Sequence, residues 1–100
     1  MGQVDFGKIN RAALGDLPSV LRRWLPDARV IGDELVARNP TRADRHPGSF
    51  KINVHTGRWS DFATDNRGGD VVSYVAFITG TGQVEAARNL AAVLGISAEA

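Results

Sequence analysis

Apolar and polar positions alternate most cleanly over residues 50–55, where Phe50, Ile52 and Val54 take turns with Lys51, Asn53 and His55. A period of two sends successive side chains to opposite faces of a strand. The stretch therefore predicts a strand with one buried face and one wet, basic face. Thr56-Gly57 supplies a turn, and "RWSDF" returns as the partner strand. In a simple two-residue turn Trp59 lies opposite Val54 and points into the core, whereas a bulge at Gly57 turns it outward. The sequence leaves both placements open. Upstream, "ARVIGDELVAR" predicts two short strands around Gly32-Asp33, a dipeptide order that favours a turn without being the tightest hairpin signal. The prolines, glycine and arginines of "NPTRADRHPG" carry no period and predict a loop.

Helical spacing takes over toward both ends. "DVVSYVAFITG" is apolar on nearly every side, with Asp70 placed to cap its first turn and Gly80 to end it. It is expected between the sheet and other helices. In "QVEAARNLAAVLG" the residues Val84, Ala87, Leu90, Ala91 and Leu94 share one face, and Gly95 terminates the pattern. Ile96 is expected to tuck back on the last turn, and "SAEA" to fray. "LPSVLRRWLP" predicts a short helix with Pro18 in its first turn, an apolar stripe of Val20, Leu21, Trp24 and Leu25, and Pro26 as its stop. "KINRAAL" adds a turn or two of helix before it. The fold class is α+β: a small antiparallel sheet packed with N-terminal and two C-terminal helices. We expect one compact domain over residues 1–100, with residues 1–36 forming an N-terminal helical segment and the first strands.

Composition narrows the function classes. A chain of 100 residues can fold alone with little core to spare. It lacks any run of about 18 apolar residues, so no membrane span is expected. No charged head precedes an apolar block, so no secretory leader is expected, and a cytoplasmic location is. Cysteine is absent, which removes disulfides and thiolate metal sites together. The net charge of +1 is unevenly spread. Residues 36–67 carry six cations (Arg38, Arg42, Arg45, Lys51, Arg58, Arg67) against three acids (Asp44, Asp61, Asp65). Such a cluster fits either a phosphate-facing patch or an ordinary solvated surface.

The Arg67-Gly68-Gly69-Asp70 segment admits three readings. A phosphate cradle at a helix start is disfavoured, because neither glycine-rich nucleotide pattern is present and Asp70 puts negative charge where phosphate would sit. In the second, the glycines make a turn and Asp70 is an N-cap worth roughly 1 kcal/mol. The third depends on the neighbouring residues.

Taken together, "HPGSFKINVHTGRWSDF", "RGGDVVSYV" and "VEAARNLAAVLGI" resemble the N-terminal zinc-ribbon domain of bacterial, phage and plasmid DNA primases. In that family a Cys-Pro-x-His knuckle precedes a Pro-Ser-Phe strand. A Gly-x-Tyr hairpin then leads to Cys-x-x-Cys, and Gly-Gly-Asp opens a helix. The resemblance spans residues 37–96. It implies that the knuckle positions are Asn39 and Arg42, with Pro40 kept, and that the second pair falls at Asp61 and Thr64. All four zinc ligands are thus changed, and the following loop is one residue longer. The remaining donors His46, His55, Asp61 and Asp65 match no ligand spacing, both histidines read as surface residues, and neither metal nor other cofactor is expected. Loss of a structural zinc removes on the order of 10 kcal/mol in small isolated fingers. The expected substitutes are the N-terminal helix with Trp24, the helix from Val71 to Ile78, and the aromatics Phe50, Trp59 and Phe62.

The resemblance further implies template handling, with single-stranded DNA laid on an exposed sheet surface and the chemistry left to a separate catalytic domain. The expected contacts are Lys51, Asn53 and His55 on the wet strand face, Arg58 beside the turn, Arg67 next to the glycines, and Arg42 and Arg45 on the knuckle loop. Trp59 would stack on a base if it faced outward. Gly68, Gly69 and Asp70 serve the turn and cap. The chain shows no nucleophile–base set and no acid cluster for Mg²⁺, so it is expected to be a non-catalytic accessory module. The alternative is a protein-interaction module that docks a primase catalytic domain or replicative helicase through the exposed side of the last helix.

Overall fold

The computed structural model describes residues 3–37, 50–61 and 65–100. Asn39, Pro40, Arg42, Arg45, His46, Phe62 and Thr64, which carry part of the expectations above, lie outside the described residues. Five strands form one antiparallel meander: β1 (Arg29–Ile31), β2 (Glu34–Ala37), β3 (Phe50–Asn53), β4 (Trp59–Asp61) and β5 (Asn66–Gly68). Four helices complete the α+β fold: α1 (Phe6–Leu14), α2 (Leu17–Leu21), α3 (Val71–Thr79) and α4 (Gln83–Leu94).

The period-two pattern is realised. Leu35, Ala37, Phe50, Ile52, Trp59 and Asp61 point to the buried side, while Glu34, Val36, Lys51, Asn53 and Ser60 point outward. The Gly32-Asp33 turn is tighter than the sequence suggests: Ile31 pairs directly with Glu34, leaving a two-residue loop. Gly32 adopts φ +63° at the first central position, the glycine requirement of a type II′ hairpin.

The β3–β4 connection differs from the two-residue turn at Thr56-Gly57. Ile52 pairs with Trp59, and the Asn53 amide donates to the Arg58 carbonyl at 2.8 Å, which leaves a four-residue loop from Val54 to Gly57. Asn53 Oδ1 organises this loop by accepting from the His55 and Thr56 amides at 2.8 and 3.0 Å. Gly57 takes φ +79° and packs on Val71, where an added Cβ would lie 3.3 Å from its side chain. The register shift is two residues, so the parity of Trp59 is preserved and it faces inward.

The core lies between the sheet and the helices. Phe50 stacks on Tyr74 of α3 with centroids 4.2 Å apart, and Trp59 packs on Phe77 at 5.1 Å and edge-on to Tyr74 at 5.5 Å. Helix α3 starts on a capping box: Asp70 Oδ1 accepts from the Ser73 amide at 2.8 Å. Asn10 of α1 reinforces it, accepting from the Val72 amide at 3.0 Å and donating to Asp70 Oδ2 at 3.3 Å. Caps of this kind contribute about 1 kcal/mol each. Gly80 and Gly95 end α3 and α4 in the left-handed conformation, and the Ile96 amide returns to the Ala91 carbonyl at 3.1 Å.

Three expectations about the helices need correction. Helix α2 ends at Leu21, so Trp24, Leu25 and the expected stop at Pro26 lie beyond it, although Leu25 is still buried. The apolar face of α4 is rotated: Ala86, Ala87, Leu90 and Ala91 are buried, but Val84 is 51% exposed because small alanines set the contact with α3. "SAEA" does not fray. Glu99 forms a β-bridge with Val4, the Asp5 amide donates to the Ala98 carbonyl at 2.9 Å, and Lys8 Nζ donates to the Glu99 carbonyl at 2.6 Å.

Candidate nucleic-acid interface

Strand register decides which side chains share the outer face of the sheet. Arg29 pairs with Val36, Val36 with Lys51, Lys51 with Ser60 and Ser60 with Arg67, so these five form one transverse rung. Directly opposed residues in antiparallel strands point to the same side. The next rung holds Ile31, Glu34 and Asn53, with Arg58 following at the loop. A cleft of about 820 Å³ opens over this face, lined by Lys51, Arg58, Arg67, Ser60, Glu34 and Gly69 among others. Lys51, Arg58 and Arg67 therefore converge on one surface. Glu34 and Asp65 border the same cleft, so its cations are interleaved with acids. Arg67 Nη2 donates to Asp65 Oδ1 at 2.8 Å. Both side chains are at least three-quarters exposed, which leaves the pair weak and readily exchanged.

The other expected site residues fare differently. Asn53 reaches the outer face, but its Oδ1 is committed to the hairpin loop. His55 sits at the loop, exposed, with Nε2 3.1 Å from Asp33 of the neighbouring turn. Trp59 requires correction. It is 6% exposed, its indole N–H donates to Ser73 Oγ at 2.9 Å, and it presents no face to a base. Gly68 also has a role other than the expected turn. It belongs to β5 directly opposite Trp59, and a Cβ there would overlap the indole. Gly69, next along, has no atom within 4 Å of its would-be Cβ. Asp70 is the N-cap, as expected. Arg29 and Ser60 were missed because only the register, not their local sequence, aligns them with Lys51.

Zinc does not fit the described residues. Of the four ligand positions implied by the primase resemblance, none carries Cys or His. Among the described residues no three His, Cys, Asp or Glu side chains gather as a metal site. Asp61 is the one of the four positions within the described residues, and it is buried beneath the sheet at 1% exposure. Beside it the aromatic cluster of Phe50, Trp59, Tyr74 and Phe77 supplies packing. Burial, and secondarily the Asp61 charge, holds the Tyr74 hydroxyl protonated far above the usual phenol range. That hydroxyl finds no hydrogen-bond partner among the described residues. The expected outcome of treatment with a strong chelator is an unchanged melting curve, followed by circular dichroism. Loss of structure on chelation would mean that donors outside the described residues hold a metal.

No family model matches the chain, and no curated protein matches it. Among solved structures it is similar to the Aquifex aeolicus primase, in a crystal structure of the zinc-binding and RNA polymerase domains. The TM-score is 0.71 at 21% identity. The match covers 95% of this chain and 22% of that protein's chain. The chain has the fold of a primase zinc-binding domain, built without the cysteine and histidine ligands that would hold the zinc.

Proposed function

We propose that this domain is a non-catalytic accessory module that binds single-stranded DNA on the outer face of its sheet, in the service of a primase or related replication protein. The observation that carries the reading is the convergence of Lys51, Arg58 and Arg67 on one open cleft, on a fold shared with a primase zinc-binding domain. Cations on adjacent strands meet phosphates without reading bases, so binding is expected to be weakly sequence-dependent and strongly salt-dependent. With Trp59 buried, stacking adds little, and modest affinity follows. Arg67 exchanges Asp65 for a phosphate at small cost, since the pair is solvent-exposed.

The test is a fluorescence-anisotropy titration of a labelled twelve-nucleotide single strand at low and physiological salt. The double variant Lys51→Ala/Arg58→Ala is expected to weaken binding about tenfold. Its salt slope should fall by about 1.4, since each phosphate of a single strand that is no longer neutralised lowers the slope by roughly 0.7. Its melting temperature should stay put. No binding by the wild-type protein at low salt would sink the reading.

A second reading draws on α4, where Val84 and Val93 are 51% and 37% exposed, nine residues apart and so on opposite sides of the helix rather than in one patch. On that reading the domain docks a primase catalytic domain or replicative helicase, and salt leaves the interaction nearly unchanged.

A further inference from the structure

The single-strand reading leaves open how a polynucleotide lies on the sheet, and two courses are available. One runs along β3, past Lys51 and Asn53 toward Arg58. The other crosses the strands along the rung Arg29–Val36–Lys51–Ser60–Arg67. We propose that the strand crosses the sheet along this rung, and that Arg29, on the edge strand, is a phosphate contact. The proposal rests on the single-strand reading and adds to it a direction and a residue.

Charge along the two courses differs. The transverse rung carries cations on β1, β3 and β5, separated by uncharged Val36 and Ser60; its one neighbouring carboxylate, Asp65, is held by Arg67 in an exposed pair that a phosphate can displace. Its cations stand two strand spacings apart, about 10 Å, and the whole rung spans about 19 Å. At a stacked rise of about 3.4 Å per nucleotide that length accommodates about six nucleotides. The course along β3 instead enters the rung of Ile31, Glu34 and Asn53. There Glu34 places a carboxylate directly beside the path, and Asn53 Oδ1 is tied to the loop amides. Glu34 disfavours a backbone that runs past it along β3, whereas a strand on the first rung passes Lys51 with Arg58 still at the border of the same cleft. The surface is also continuous toward the edge. Beyond β2 a second concavity is lined by Arg29, Ile31 and Val36, with Asp27 at its border, and Ile31 is 60% exposed as an apolar surface for a base. Arg29 is exposed, so its side chain is available without rearrangement.

The experiment measures binding of an oligothymidylate twelve-mer, longer than the rung, to the wild-type chain and to Arg29→Ala, Arg29→Lys and Arg88→Ala across a salt series. Arg88 lies on α4 beside Glu99 and serves as a control of equal charge. Arg29→Ala is expected to weaken binding about threefold to tenfold and to lower the salt slope by about 0.7. Arg29→Lys should retain most of the affinity, and Arg88→Ala should match the wild type. If Arg29→Ala behaves like Arg88→Ala while Lys51→Ala/Arg58→Ala still weakens binding, the transverse course is wrong and the single-strand reading stands. If the wild-type chain does not bind at all, both fall.

Discussion

Trp59→Ala is expected to cost about 3–5 kcal/mol, the range for emptying a large aromatic from a packed core. For a domain of this size each kcal/mol moves the midpoint by about 4–8 °C, so a fall of roughly 12–40 °C is anticipated. The reasons are specific. The indole touches Phe50, Tyr74 and Phe77, with ring centroids 6.2, 5.5 and 5.1 Å away, and its N–H is bonded to Ser73 Oγ. Removing it leaves a cavity under three strands and strips the capping serine of a partner. Trp59→Phe keeps most of the ring packing and gives up the one hydrogen bond, a cost of about 1 kcal/mol. Because Trp59 is only 6% exposed, Trp59→Phe should leave single-strand affinity where it was. Thermal denaturation and anisotropy on the same two variants check both halves. A stable Trp59→Ala protein that fails to bind DNA would mean that the ring faces bases after all.

The adjacent glycines are expected to respond in opposite ways. In Gly68→Ala the new methyl collides with the Trp59 indole and lies 2.6 Å from Ser73 Oγ, both packed side chains with little room to yield. Overpacking of this kind costs about 1–3 kcal/mol, and more where neighbours are locked. Gly69→Ala meets nothing within 4 Å and its backbone has no positive φ, so a change within about 0.5 kcal/mol is expected. Urea denaturation of the two single variants makes the comparison. Equal behaviour would show that the pair serves only as a flexible turn.

The β3 strand, both closing helices and the Asp70 cap were legible because each has a local signature: alternation, helical spacing, a side chain that caps. The fifth strand was not, since Asn66-Arg67-Gly68 has no apolar alternation and owes its conformation to pairing with β4. Gly68 looked like a turn residue because its reason lies across the sheet, in the indole of Trp59. The cationic face was half visible. Lys51, Arg58 and Arg67 announce themselves by charge, whereas Arg29 enters only through successive registers. Val84 was placed in the core by its period, yet the first turn of α4 overhangs the contact that Ala86 and Ala87 make. The terminal bridge escaped because it is made by backbone amides and carbonyls, which leave no mark in side-chain patterns.

That bridge bears on how the domain assembles itself. Helix α1 finds its partners in α3 and α4, and the segment before it hydrogen-bonds to residues 98–100. The first residues of the domain to be synthesised thus wait for nearly the last of it before they gain tertiary support. A nascent chain halted after β5 lacks helix α3, on which the apolar face of the sheet packs, and α1 alone is too short to persist in water. Completion is therefore a late, concerted closure in which both edges of the domain commit together, once the helical hairpin that joins them has emerged from the ribosome.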